Sequence, residues 1–451
     1  MKRSVLITVL LSVLAALTAL TGVLLCISLS RYESTPDEAG WNMFLMLPAS
    51  AVTVISIILI VLDAACVFFI VMLIVSDIRI KKAAAKSEKQ ENKTRFSKLK
   101  QIDAEAFKKK GAPYNDAAEL RSFCDGFRAF AADKMRLYYD ESVIRAYVAA
   151  MSCTHLIILQ GISGTGKTSL PLAFGRYTGN DASVTPVQPS WKDRSDLLGY
   201  YNEFTDSYTE TELLCRLYEA NLTNDIYTVV LDEMNIARVE YYFAEFLSLL
   251  ELPAGKSRRV RVTSDSRDSD PALFRNGTLA LPGNVWFVGT ANNDDSTLAV
   301  SDKVCDRSFI IELNSRSKPF TANSDGVSRI SCSKLTELFN EARISQPLTE
   351  QMRGALVKLD EYLSDHVKIT FGNRVMRQAE TFIPVYVCCG GTWEEAADML
   401  ICRKLLYKMD GFDPVFCRGE AGGIQQMLNS LFGEGNTPLC TSYLKKFAAV
   451  L

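Results

Sequence analysis

Residues 155–170 read HLIILQGISGTGKTSL, and this stretch decides the fold. Leu156 to Leu159 are four consecutive apolar residues, the pattern of a strand buried on both faces. Gly161, Gly164, Gly166, Lys167 and Thr168 follow, matching the phosphate-binding spacing G-x-x-x-x-G-K-[ST]. Glycines let backbone N–H groups approach phosphate oxygens at a helix N-terminus, where the dipole favours anions. Lys167 is placed to reach the β- and γ-phosphates and the Thr168 hydroxyl to take Mg²⁺. Strand, glycine loop and helix in that order predict an α/β domain built on a parallel sheet.

A second strand, IYTVVLDEM (226–234), ends in Asp232 and Glu233. Ligands of open parallel sheets sit at the strands' carboxyl ends. Asp232 is suited to hold Mg²⁺ and Glu233 to polarise an attacking water, two jobs that need two acids. A third strand, NVWFVGT (284–290), leads into ANNDDST, where Asn292 can hydrogen-bond the water or the γ-phosphate. Arg307, in SDKVCDRSFIIEL (301–313), follows Asn292 by 15 positions, which suits an arginine finger reaching a neighbouring subunit's nucleotide.

Together the phosphate loop, LDEMNIARVEYYFAEFLSLLE (231–251) and TANNDDSTLAVSDKVCDRSF (290–309) resemble an AAA+ ATPase. Within that superfamily they are similar to the dynein-related, McrB-like branch, as is VQPSWKDRSDLLGYYNEFTDSYTETELL (187–214). The likeness spans about residues 140–315, with a fainter echo in FGNRVMRQAETFIPVYV (371–387). It implies a Rossmann-like α/β domain followed by a helical lid, assembling into a homo-oligomeric ring, usually hexameric, with ATP and Mg²⁺ at subunit interfaces. It assigns Gly161, Gly164, Gly166, Lys167 and Thr168 to the phosphate loop, Asp232 and Glu233 to Mg²⁺ and water, and Asn292 to a sensor. Arg307 becomes the finger acting in trans. Arg374 is the lid arginine that reports on the γ-phosphate, with Arg377 as competitor. Asn235 and Arg238 either couple neighbouring sites or pack.

McrB itself uses GTP, and Asn292-x-x-Asp295 falls where a guanine-selecting pair has been placed. A guanine reader needs a carboxylate opposite the base. A loop at the end of the sensor strand lies near the γ-phosphate, so ATP is the expected nucleotide, with Asn292 a sensor and Asp295 a cap or interface residue. Two insertions, 199–210 and 252–283, read as hairpins, the second with Lys256, Arg258, Arg259 and Arg261 on one arm.

The N-terminal part has a different character. Val5 to Leu29 is an uncharged apolar run long enough to cross a bilayer, and a second lies within Phe44–Val75, with a helix near 51–75 after Pro48. Lys2 and Arg3 precede the first; Arg79, Lys81, Lys82 and Lys86 follow the second. The positive-inside rule puts both ends in the cytoplasm, so the expectation is a multi-pass hairpin in the cell (cytoplasmic) membrane. Asp63, inside the second run, is read as a polar contact between helices or subunits, or as a protonated acid. From Arg79 to Lys110 there are twelve Lys/Arg against four Asp/Glu, a local +8 in a chain of net −2. Such a stretch reads as a linker near anionic headgroups. Twelve cysteines without a Cys-x-x-Cys pair and only two histidines argue against a zinc site.

The expected domains are therefore a transmembrane hairpin (1–80), a basic linker (81–112), an AAA+ α/β domain (113–318) and a helical lid (319–451). Function is expected to be ATP-driven work on a partner. The resemblance suggests a separate McrC-like nuclease subunit in defence, with nucleic acid met only indirectly. Alternatives are a nucleotide-gated membrane scaffold with slow or no hydrolysis, a MoxR-type chaperone, and a McrB-type GTPase.

Overall fold

The computed structural model describes residues 11–23, 26, 49–91, 94–106, 113–252, 257–292 and 297–448. Two compact units result, Met1–Lys93 and Thr94–Leu451.

The first unit contains helices α1 (Leu11–Val23) and α2 (Ala49–Glu91). Helix α2 begins directly after Pro48, which suits a helix start. It is 43 residues long, roughly 65 Å at 1.5 Å per residue, about twice a bilayer core. Its Val54–Lys82 segment is long and apolar enough to cross a membrane. Among the described residues this is one such helix, where the sequence suggested two. Of the other run, Val5–Leu29, the described part is chiefly α1, too short to span, and the rest lies outside the described residues. Toward the end of that segment α2 gains charge, with Lys81 paired to Asp77 at 2.9 Å.

The second unit opens with α3 (Ser97–Ala106), α4 (Leu120–Met135) and α5 (Glu141–Cys153), before strand β1 (Leu156–Gly161) and the phosphate-loop helix α6 (Ser169–Tyr177). Then come β2 (Ser183–Pro186), the short α7 (Ser195–Leu198), hairpin strands β3 (Gly199–Asn202) and β4 (Ser207–Glu210), and α8 (Glu212–Ala220). The acid-bearing strand β5 (Tyr227–Asp232) is followed by α9 (Val239–Tyr242) and α10 (Ala244–Leu250). A second hairpin, β6 (Arg259–Arg261) with β7 (Thr278–Ala280), precedes β8 (Val285–Asn292), α11 (Asp302–Cys305) and β9 (Phe309–Glu312). Six helices complete the unit: α12 (Cys332–Ser345), α13 (Glu350–Val367), α14 (Gly372–Cys388), α15 (Trp393–Lys404), α16 (Pro414–Phe432) and α17 (Pro438–Ala448).

Five strands form one parallel sheet in the order β2-β5-β8-β1-β9, and each inserted hairpin is a separate antiparallel pair. Strand periodicity divides β1 between two cores. Ile157 and Leu159 face α4, α5, α6 and the lid helices, while Leu156 and Ile158 face α8, α10 and the hairpins. Helices α12 to α17 share the first of these cores rather than forming their own: Phe382 of α14 stacks on Phe309 of β9 at 4.4 Å.

Residues 94–106, placed by the sequence in a basic linker, are part of this second unit. Phe96 and Leu99 are fully buried in the hairpin-side core. The Glu210 carboxylate accepts the backbone N–H groups of Ser97, Lys98 and Leu99 at 2.8–3.0 Å, satisfying the orphan donors of α3. Arg95, 2% exposed, donates two parallel bonds of 2.8 Å to Asp270 and one of 2.7 Å to Asp265, both within the second insertion. A guanidinium buried this far is tolerated because its carboxylates come with it. Removing it strands Asp270 in the interior. Arg95→Met is therefore expected to cost about 3–5 kcal/mol, read as a lower denaturant midpoint, and Arg95→Met/Asp270→Leu should recover part of that loss. An unchanged midpoint for the single variant would refute the assignment.

Candidate functional site

The carboxyl ends of β1, β5 and β8 meet at a cavity of about 640 Å³. Register accounts for the convergence: Gly161 pairs with Asn292 across β1 and β8. The phosphate loop lines the cavity through Gly164, Gly166, Lys167 and Thr168. Gly161 itself sits at φ +151°, and a Cβ there would fall 2.2 Å from the Leu313 carbonyl oxygen. At Gly166, φ is +93° and its carbonyl accepts from the Tyr139 hydroxyl at 3.0 Å. Side chains at either position would displace the loop. Lys167, 7% exposed, folds back over the loop, donating to Gly161 O at 3.0 Å and Ile162 O at 2.7 Å.

Opposite the loop stand the two acids. The Thr168 hydroxyl donates to Asp232 Oδ1 at 2.8 Å, and so does Thr290 Oγ1, also at 2.8 Å. Thr290 in turn accepts the backbone N–H of Glu233 at 2.8 Å. Glu233 has left-handed backbone geometry, φ +54° and ψ +44°, a conformation that costs a non-glycine residue energy and is typical of active sites. The strand thereby ends abruptly, leaving the Glu233 side chain exposed at the cavity wall. Asn235 accepts from Asn292 N at 3.3 Å and donates to Asn292 O at 2.9 Å and Leu298 O at 3.0 Å. It thus ties down both ends of the loop after β8, whose residues 293–296, Asp295 included, lie outside the described residues.

The donor set suits Mg²⁺ bound with a nucleotide. A hydroxyl and a carboxylate already point at one another. Among the described residues no group of three or more His, Cys, Asp or Glu could hold a metal by protein ligands alone. Magnesium characteristically takes one or two protein oxygens and completes its shell with water and phosphate.

Arg307 and Arg374 lie elsewhere. Arg307 precedes β9, and β9 runs parallel to β1, so Arg307 is at the sheet edge opposite the phosphate loop. There a second cavity, of about 590 Å³, is lined by Arg258, Arg307, Arg374, Arg377 and Glu251. Glu251 pairs with Arg307 at 2.8 Å and also with Arg374. Arg307 Nη1 is buried and has no hydrogen-bond partner among the described residues. Burial, then the charge of Arg258, holds His155 on this cavity's wall down at about 4. Arg374, named from the sequence as the lid residue reporting on the γ-phosphate, does not line this chain's cavity at the glycine loop, and neither does Arg377. Helix α14 packs against β9, which delivers both arginines to Arg307 instead of to Lys167.

No family model matches the chain. No curated protein matches it either. Among solved structures, the chain is similar to a crystal structure from Cytophaga hutchinsonii described as a "putative ATPase", at 13% identity and a TM-score of 0.43, covering 78% of this chain and 98% of that one.

Several residues at the two cavities carry no motif. Thr290 links both acids to β8, Arg316 donates to Gly164 O at 2.7 Å from the cavity mouth, and Glu251 joins the two arginines. Thr290 was open to detection as the polar residue in an otherwise apolar run, VWFVGT. Glu251 and Arg316 lack any local signal.

Proposed function

We propose that this chain is an AAA+ ATPase related to the dynein-related, McrB-like branch, tethered to the cytoplasmic membrane through its N-terminal helices. In this reading copies of the chain form a ring, usually hexameric, that hydrolyses ATP at subunit interfaces to remodel or drive a separate protein, a McrC-like subunit being one candidate. The observation that carries it is the Thr168–Asp232 hydrogen bond, set between the glycine loop and Glu233 in one cavity.

Each residue then has a task. Loop N–H groups and Lys167 bind the phosphates, while Thr168 and Asp232 hold Mg²⁺, which neutralises charge on the β- and γ-oxygens when bound. Glu233 accepts a proton from the attacking water, and Asn292, steadied by Asn235, orients that water. Arg307 stands a strand's length from its own chain's cavity and keeps a buried donor without a partner among the described residues, which supports action on a neighbour's nucleotide. Arg374, beside it, is placed to join the same γ-phosphate. ATP is favoured over GTP because the cavity's acidic lining residues, Asp232 and Glu233, both stand on the phosphate side. Away from them the described wall, Arg136 to Tyr139 with Arg316, Ser317 and Pro319, offers no carboxylate to guanine.

The test uses the full chain in nanodiscs. Phosphate release from ATP should exceed that from GTP, and specific activity should climb with protein concentration as interfaces form. A preference for GTP would move the protein to the McrB-type GTPases. A concentration-independent rate would remove the trans role of Arg307. A second reading, the nucleotide-gated scaffold, draws on Asp63, whose Oδ1 is shielded without a hydrogen-bond partner among the described residues, as expected of a polar contact awaiting another helix.

A further inference from the structure

Arg307 can act only if its backbone is held in place, and the lid does the holding. We propose that Lys404, at the end of lid helix α15, is a positioning residue for Arg307: it fastens the turn carrying the arginine to the lid, so that finger and lid move as one body. This rests on the reading of Arg307 as a finger acting in trans.

Lys404 is fully buried. Its Nζ donates to Cys305 O at 2.8 Å, to Asp306 O at 3.5 Å and to Ser308 O. The carbonyl missing from that series, Arg307 O, is taken by Thr154 Oγ1 at 3.0 Å. Four successive carbonyls, 305 to 308, are thus each held by a side chain from outside the turn. The adjoining residues add to the clamp: Arg403 meets Glu312 at 2.5 Å and Lys408 meets Asp306 at 3.1 Å.

Burying an ammonium is costly, and a lysine kept only to fill space would be replaced by Met or Leu without that cost. Burial pulls Lys404 down to about 8. Carbonyl dipoles offset the desolvation, and in return they fix the turn. A displacement near 1 Å of a charge-stabilising group can cost about a hundredfold in rate.

The experiment mixes variants of the full chain in nanodiscs. Lys404→Met, which keeps Lys167, Asp232 and Glu233, should bind the fluorescent ATP analogue mant-ATP within about twofold of the parent but turn over ATP about tenfold to a hundredfold more slowly. Glu233→Gln subunits cannot hydrolyse but carry an intact finger. Mixed with an excess of them, Lys404→Met should regain turnover, because its own cavity is completed by the partner's Arg307. Arg307→Ala mixed with Glu233→Gln is the control. Rescue of the control without rescue of Lys404→Met overturns the positioning role and leaves the trans finger standing. Failure of the control removes the trans finger and this inference with it. Should Lys404→Met fail to fold, Thr154→Val, which frees the carbonyl of Arg307 from the other side, must show the same slow turnover and the same rescue; normal turnover there overturns the proposal.

Discussion

Glu233→Gln is expected to lower ATP turnover by about 10²–10⁴-fold while nucleotide binding stays within about twofold of the parent. The glutamine fills the same space at the exposed end of β5 and keeps the left-handed turn, whose N–H still reaches Thr290. What disappears is the oxygen that can accept a proton. Asp232, with its bonds from Thr168 and Thr290, is untouched, so Mg²⁺ and nucleotide should still be held. Equilibrium binding of mant-ATP and single-turnover phosphate release separate the two effects. A cellular function that survives in Glu233→Gln would favour the nucleotide-gated scaffold, whereas loss of function with ATP bound belongs to a motor. Equal losses in binding and turnover would show that Glu233 holds ligand instead of activating water.

Arg307→Ala should remove about 10³–10⁵-fold of turnover, again with nucleotide affinity nearly intact, because the cavity at the glycine loop contains no part of Arg307. The rate that remains should no longer rise with protein concentration. Arg307→Lys should rescue poorly, since one ammonium cannot bridge Glu251 and a phosphate as a planar fork can. Light scattering keeps assembly in view: a variant that still assembles yet does not hydrolyse fits a finger. One that dissociates assigns Arg307 to the interface alone.

The two cavities were legible in the sequence to very different degrees. Gly161 to Thr168 could be read because phosphate chemistry demands glycines and a lysine at fixed spacing within one loop. Asp232, Glu233 and Asn292 stood out because each ends an apolar strand, and the parallel sheet then brings the strand ends together. Arg307 and Arg374 were singled out in the sequence, but their shared place was hidden: it depends on how α14 packs on β9, which no local pattern encodes. Lys404 looked like an ordinary helix-terminal lysine, and its carbonyl partners lie 96–99 residues away. Arg95 was similarly lost in a basic run, its partner Asp270 being 175 residues distant. The error about that run has a clear origin. Charge counts suggested solvated chain, whereas Phe96 and Leu99, two apolar residues among many lysines, are what nail it down.

That anchoring has a mechanical side. Thr94 is the first residue of the second unit, and Arg95 sits beside it. Any tension drawn along the polypeptide from the N-terminal helices enters the unit there, and the first bonds to feel it include the four from Arg95 to Asp265 and Asp270. Load would pass into both insertions together, into the second through Asp265 and Asp270 and into the first through Tyr208, whose N–H donates to Arg95 O at 2.8 Å, and through Glu210, which holds α3. The two hairpins thus share such a pull in parallel, and it arrives as shear on each of them.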